Sequence, residues 1–119
     1  MVEEKGIVNE NLEAVLQVRL TNGATIECVL DTGFNGSILL PREFVETNAM
    51  LFVGREKVMM VEEISTEIDT AIAEVNWLDE EFSIRIFISE TNESLIGTQM
   101  LSDTLLEIDY KNRTVKITK

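Results

Sequence analysis

The most informative stretch of this chain is residues 27–41, which read ECVLDTGFNGSILLP. Asp31 follows three apolar residues and is followed by Thr32 and Gly33. The triplet alone is weak, because it arises by accident in roughly one chain of this length in twenty and can be a simple β-turn. The context is more specific, since an ionised carboxylate ending a buried strand is costly unless hydrogen bonds or a shared proton stabilise it. This context favours a functional Asp31.

Around this stretch, apolar and polar residues alternate with a period of two, which is typical of strands. Strands are predicted over residues 12–20, 24–30, 38–40, 67–77, 82–89, 94–97, 105–110 and 114–118. Tight turns are predicted at Asn22-Gly23 with φ > 0 at both residues, at the acidic segment 79–81 and at Lys111-Asn112. Brief helical segments are predicted over 41–48 and 98–103. The class is therefore mainly β, in a single domain spanning residues 1–119.

Composition removes several classes of function. The 119 residues include 10 basic and 22 acidic side chains, and a net charge of −12 argues against nucleic acid, whose phosphates require Lys and Arg. The absence of histidine excludes Ser-His-Asp and Cys-His catalysis and metal sites built on imidazole. The single cysteine, Cys28, allows neither an intrachain disulfide nor a thiolate zinc cluster, and its apolar strand face predicts a small buried hydrophobe. We therefore expect no cofactor and no metal.

The compartment is predicted from what the sequence lacks. The longest apolar runs are far shorter than a membrane span, and the first residues carry no basic segment ahead of an apolar one. With no secretory signal and a single cysteine, we expect a cytoplasmic protein without a membrane partner.

Residues 31–36, DTGFNG, resemble the active-site loop of the retropepsin-like aspartic proteases, in particular their small single-domain bacterial and archaeal members. In that family the loop is followed by an apolar stretch and a proline, matched here by Pro41. A second family mark, two apolar residues and a glycine before a short helix, is matched by Leu95-Ile96-Gly97 and the residues up to Leu101. The resemblance covers residues 12–117 and implies a closed β-barrel of the retropepsin-like type with one short C-terminal helix.

The resemblance also implies a function. An aspartic protease needs two carboxylates that share one proton, and this protein class is the standard example of such a pair. One Asp-Thr-Gly per chain is half a site, so the implied protein is a homodimer with Asp31 beside its copy across a two-fold axis. The reaction implied is hydrolysis of peptide or unfolded protein substrates. Thr32 is assigned to a hydrogen bond across the dimer, and Gly33 to the backbone near the substrate.

Substrate contacts are expected from Phe34 and from a flap between residues 58 and 71, whose tip includes Glu62, Glu63 and Ile64. Acidic tip residues would disfavour acidic substrates. Two features depart from the family pattern: the flap tip has no glycine, and Gln99 stands where Asp, Asn or Ser is usual.

Two alternatives remain open at this point. The first is a catalytically silent dimer of the same fold that binds peptides or proteins, and the second is an unrelated acidic β domain with an accidental triplet.

Overall fold

The computed structural model describes residues 2–59 and 65–119. In this part of the chain the elements are ten strands, one α-helix and a 3-10 helix at Thr98–Leu101. The strands are β1 Glu3–Val8, β2 Ala14–Leu20, β3 Thr25–Leu30, β4 Ile38–Pro41, β5 Leu51–Met59, β6 Ser65–Trp77, β7 Glu80–Ser89, β8 Leu95–Ile96, β9 Leu105–Asp109 and β10 Thr114–Thr118, and helix α1 is Arg42–Thr47. The prediction of a mainly β protein is confirmed.

Two strands, β1 and β5, are not predicted by the sequence. In β1 the core-facing position is occupied by Glu4, a carboxylate whose side chain is only 6% exposed, so the apolar alternation is broken. In β5 the apolar residues 51–53 are exposed at the edge of the sheet, and a β-bulge falls between Phe52 and Gly54. Gly54 adopts a φ of 114°, a conformation that glycine tolerates and other residues rarely adopt.

Two turns differ from their predictions. At the first hairpin only Gly23 has a positive φ, and the loop contains three residues because the Leu20 N–H donates to the Ala24 carbonyl at 2.8 Å. The long hairpin turns on Leu78 and Asp79, both with positive φ, so the acidic residues 80 and 81 belong to the next strand. Paired positive φ values match the right-handed twist of a two-residue hairpin, whichever residues supply them.

The expectation of one short C-terminal helix is corrected. The α-helix lies earlier, at Arg42–Thr47, within the helical segment predicted over 41–48, and Pro41 is its N-cap residue with an extended backbone. The C-terminal segment forms only a 3-10 turn, closed by the Met100 N–H donating to the Gly97 carbonyl. Four residues between two extended segments are too few to build an α-helix.

The ten strands form one sheet in the order β5-β6-β7-β4-β8-β3-β2-β1-β10-β9. An additional pairing joins β2 to β6, with Arg19 opposite Asn76 and Leu20 opposite Val75. The structure is therefore a mainly β sheet folded back on itself: this contact joins β6, β7, β4, β8, β3 and β2 in a ring, and β5 and β9 are the end strands of the sheet.

The core lies inside the folded sheet. Its largest fully buried side chains are apolar residues of six strands: Leu16, Val18, Ile38, Leu40, Val75, Ile86, Ile96, Val115 and Ile117. Glu4 also lies here. Its carboxylate accepts hydrogen bonds from Arg19 Nη2 at 2.7 Å and from the Leu78 N–H at 2.8 Å, so it joins β1 to β2 and to the turn of the β6–β7 hairpin. Across residues 2–59 and 65–119, no helix has the length and apolar character to cross a bilayer.

Candidate active site

The short strand β8 lies between β3 and β4 and positions the loop that joins them. It runs parallel to β3, with Val29 opposite Leu95 and Leu30 opposite Ile96, and antiparallel to β4, with Ile38 opposite Ile96. Because β8 occupies the space between its two neighbours, the connection over residues 31–37 has to arch across the end of β8. The triplet identified in the sequence is therefore held at one point where three strands meet.

Asp31 stands at the start of this loop. Its N–H donates to the Ile96 carbonyl at 2.9 Å, which continues the β3–β8 pairing by one residue. Its carboxylate accepts from the Gly33 N–H at 2.8 Å, and its carbonyl accepts from the Phe34 N–H at 3.1 Å. These contacts fix the carboxylate. In the single chain Asp31 is half-buried, not fully buried as its place after an apolar strand indicated, and Thr32 and Gly33 are exposed beside it.

Gly97 anchors the other side of the loop. Its N–H donates to the Ser37 carbonyl at 2.7 Å, and the Thr98 N–H donates to the Phe34 carbonyl at 2.9 Å. A Cβ at position 97 would lie 2.7 Å from the Phe34 oxygen and would overlap the Gly36 oxygen. The close backbone approach, and not the backbone conformation, requires glycine at position 97, because any residue can adopt its φ of −95°. The two sequence marks, residues 31–36 and 95–97, are thus in direct contact.

Phe34 packs as a support of the loop. Its ring meets the ring of Phe87 edge to face, with centroids 5.7 Å apart and planes at 78°. A Cβ at Gly36 would lie within 2.6–2.8 Å of both rings. Phe34 is half-buried, so its contact with substrate stays a prediction.

The predicted flap corresponds to the hairpin of β5 and β6. Their antiparallel pairing extends from Leu51 opposite Ile72 to Met59 opposite Ser65. The predicted tip residues Glu62, Glu63 and Ile64 lie outside the described residues.

Ser37 is a site residue that sequence reasoning missed. It is fully buried, and its Oγ donates to the Arg85 carbonyl at 2.6 Å while its own carbonyl receives the Gly97 N–H. The available signal was a small polar residue at the entry to the apolar strand Ile38–Pro41. Gln99, by contrast, supports the loop through its backbone, since its N–H donates to the Gly36 carbonyl at 3.2 Å while its side chain is exposed.

The chain contains four other aspartates, none of which lies in the loop of residues 31–37. Asp79, Asp103 and Asp109 are exposed. Asp69 is half-buried and bridges two cations, Arg42 at 2.6 Å and Arg55 at 2.9 Å. The hydrogen bond from Arg42 is the main reason why the pKa of Asp69 lies below its usual range. An aspartate held ionised in this way has a structural role.

Cys28 is fully buried, as predicted. Burial raises the pKa of its thiol to about 12, with a small further rise from nearby Glu27 and an opposing contribution from Ser94. A thiol that stays protonated is a poor nucleophile.

Two grooves lie beside the loop between β7 and β8. One, of about 690 Å³, lies between β6 and the end of β7, with Arg42, Ile68 and Ile88 in its lining. The other, of about 310 Å³, is lined by Val29 of β3 and Leu95 of β8, which pair with each other two residues before Asp31 and Gly97. Glu93 lines both grooves, so they meet at the loop between β7 and β8.

Comparison with known proteins identifies this architecture. No family model matches the sequence, and no curated protein does. Among solved structures, a retropepsin-like aspartic protease from Rickettsia conorii matches with a TM-score of 0.64 and 17% identity, over 97% of this chain and 89% of that one. The chain has the retropepsin-like fold. This confirms, at the level of the fold, the resemblance seen at residues 31–36 and 95–97.

Proposed function

We propose that two copies of this chain form an aspartic endopeptidase. The observation that carries the proposal is the Asp31-Thr32-Gly33 loop, whose carboxylate is fixed by a backbone N–H and half-exposed at the point where β3, β4 and β8 meet. A carboxylate with only a structural role would be expected to find a cation or a complete set of donors, as Asp69 does.

The chemistry follows from two Asp31 side chains in contact. Two carboxylates that close cannot both ionise, so the pair holds one proton. The ionised member takes a proton from a water molecule while the protonated member donates its proton to the oxygen of the scissile carbonyl. Water oxygen bonds to the carbonyl carbon, giving a neutral tetrahedral diol. Its breakdown returns one proton to the pair and delivers another to the departing amine nitrogen.

Dimer formation is part of the proposal because one chain supplies one such carboxylate. Thr32 and Gly33 are exposed in the single chain, which leaves them free to meet a second copy. A two-fold axis close to Asp31 would bring the two loops together, with each Thr32 hydroxyl bonding to the opposite loop.

The substrate we propose is an extended peptide or an unfolded protein. The two grooves that meet at Glu93 provide a path from the flap hairpin to the strand that carries Asp31. Glu93 adds negative charge to this path, which disfavours acidic side chains in the substrate.

A second candidate is a dimer that binds peptides without cleaving them. It is favoured by Gln99, whose exposed side chain does not take the supporting place that a shorter Asp or Asn would occupy in the family pattern. Only its backbone N–H supports the catalytic loop in the described contacts.

The test compares wild type with Asp31→Asn on a mixed peptide library between about pH 4 and 7. Asp79→Asn is the matched control, because Asp79 is an exposed turn residue with a φ of 59° that Asn also tolerates. We expect cleavage by wild type and by Asp79→Asn, and none by Asp31→Asn.

Equal cleavage by wild type and Asp31→Asn would refute the protease proposal. Binding without any turnover would favour the second candidate. Light scattering on the same samples should give twice the chain mass, and a strict monomer would rule out a paired Asp31 site.

A further inference from the structure

The base of the flap hairpin is held by a buried hydroxyl. Thr70, in β6, is fully buried, and its Oγ1 donates to the Gly54 carbonyl at 2.9 Å. The same oxygen accepts a hydrogen bond from Arg85 Nε, also at 2.9 Å. Thr70 therefore joins the bulged part of β5 to β7 through one atom.

The same residue of β7 is bonded to the catalytic loop. The Arg85 carbonyl accepts the Ser37 hydroxyl at 2.6 Å, and the Ser37 carbonyl accepts the Gly97 N–H at 2.7 Å. Both Ser37 and Thr70 are fully buried. A continuous series of hydrogen bonds therefore runs from Gly54, at the hairpin base, to Gly97, against which the catalytic loop packs.

A second connection runs alongside through aromatic packing. Phe87 pairs with Thr70 on one side and with Leu39 on the other, so it lies between the flap strand and β4. Its ring contacts Phe34 of the catalytic loop at a centroid distance of 5.7 Å. The polar and apolar connections share strand β7, which makes this strand the physical link between the flap hairpin and the loop that carries Asp31.

Buried hydroxyls are informative because an apolar residue of the same shape costs no desolvation. A Val at position 70 would fit the strand and carry no hydroxyl to desolvate, but the Gly54 carbonyl would lose its donor and Arg85 Nε its acceptor. A buried polar network that is fully satisfied tends to specify one arrangement of the groups it joins.

We infer that Ser37, Thr70 and Arg85 are positioning residues that couple the base of the flap hairpin to the loop bearing Asp31. The inference rests on the proposed protease function for its catalytic consequence. Movement of the hairpin on substrate is transmitted through Arg85 to the Ser37–Gly97 contact, which holds the loop.

The decisive variants are at position 70. Thr70→Val keeps the shape and removes both hydrogen bonds, whereas Thr70→Ser keeps the hydroxyl. Ser83→Ala is the matched control, because the Ser83 hydroxyl also bridges β7 to β6, donating to Glu74 at 2.8 Å, but is exposed and has no bond in this series.

The first measurement is amide hydrogen exchange at Gly97 and Thr98, which requires no activity. In Thr70→Val we expect exchange about fivefold faster at these two amides, the effect of one hydrogen bond of ordinary net strength. Thr70→Ser should restore the wild-type rate, and Ser83→Ala should leave it unchanged. An unchanged rate in Thr70→Val would overturn the inference. A uniform acceleration over all core amides would also overturn it, since it would indicate a merely structural role.

The second measurement is peptide cleavage by the same variants. Thr70→Val should lower kcat about fivefold with KM nearly unchanged, because the loss concerns the orientation of Asp31, and Thr70→Ser should recover kcat. A rise in KM alone would contradict coupling to the catalytic loop. If wild type cleaves nothing, the protease proposal fails while the exchange result still decides the coupling.

Discussion

Replacing Gly97 by Ala tests directly how the loop of residues 31–37 packs against the 3-10 turn. The new Cβ would lie 2.7 Å from the Phe34 oxygen and inside contact distance of the Gly36 oxygen, and both obstacles are backbone atoms. Since the φ of −95° suits Ala, the cost comes from contact alone. The loop must move away from the 3-10 turn, which weakens the hydrogen bond from Gly97 to Ser37 and the one from Thr98.

The expected magnitude combines these two effects. Overpacking at a rigid site costs about 1–3 kcal/mol, and each weakened hydrogen bond about 1 kcal/mol. The sum is a loss of about 3–5 kcal/mol in the free energy of unfolding, a large part of the roughly 5–15 kcal/mol of a typical domain.

Urea unfolding followed by the fluorescence of Trp77 measures this loss, because Trp77 is buried and its Nε1 donates to the Met100 carbonyl in the 3-10 turn. Gly23→Ala is the control: a Cβ there meets no atom within 4 Å, so only its positive φ of 94° is penalised, at about 1–2 kcal/mol. A loss in Gly97→Ala no greater than in Gly23→Ala would refute the close-approach argument.

Three further predictions concern buried groups away from the loop. In urea unfolding, Glu4→Ala should lower the free energy of unfolding by about 3–5 kcal/mol, because it leaves the Leu78 N–H without its acceptor. Glu4→Gln should lower the same free energy by about 1–2 kcal/mol. Folded protein should resist thiol alkylation at pH 8, since the pKa of Cys28 is about 12; labelling as fast as in urea would contradict its burial. Because that pKa is raised in the folded state, the contribution of Cys28 to the free energy of unfolding is complete below about pH 9 and declines towards pH 12. Cys28→Val should abolish this decline when unfolding is measured at alkaline pH.

The strands that alternate cleanly were predictable because one face of each is buried. Residues 14–20 form β2 with the apolar set facing the core, as the period of two predicted. The same logic failed for β1, where Glu4 occupies a core position and is stabilised by Arg19, a residue fifteen positions away. It also failed for β5, an edge strand whose apolar residues are exposed. Periodicity reports burial, so it cannot detect a strand whose inward residue is charged or whose apolar residues face outward.

The candidate site divides in the same way. Asp31 and Gly97 were recognisable because local motifs carry them, and backbone hydrogen bonds show that the two motifs meet. Thr70 and Arg85 were not recognisable, because a Thr or an Arg in a strand has no distinctive local pattern, and the local sign at Ser37 was only a small polar residue before an apolar strand. Their contacts span 15 to 48 positions of sequence.

The amino-acid sequence alone determines the local chemistry of this protein: the Asp31 triplet after an apolar strand, the absence of histidine and the alternation that makes the class mainly β. Tertiary structure alone decides that β8 lies between β3 and β4, that Gly97 touches the loop of Asp31, and that β2 turns back to pair with β6. The reason is physical. Residue order dictates which backbone conformations and faces are favourable, whereas the approach of two distant segments depends on how all the buried faces pack together.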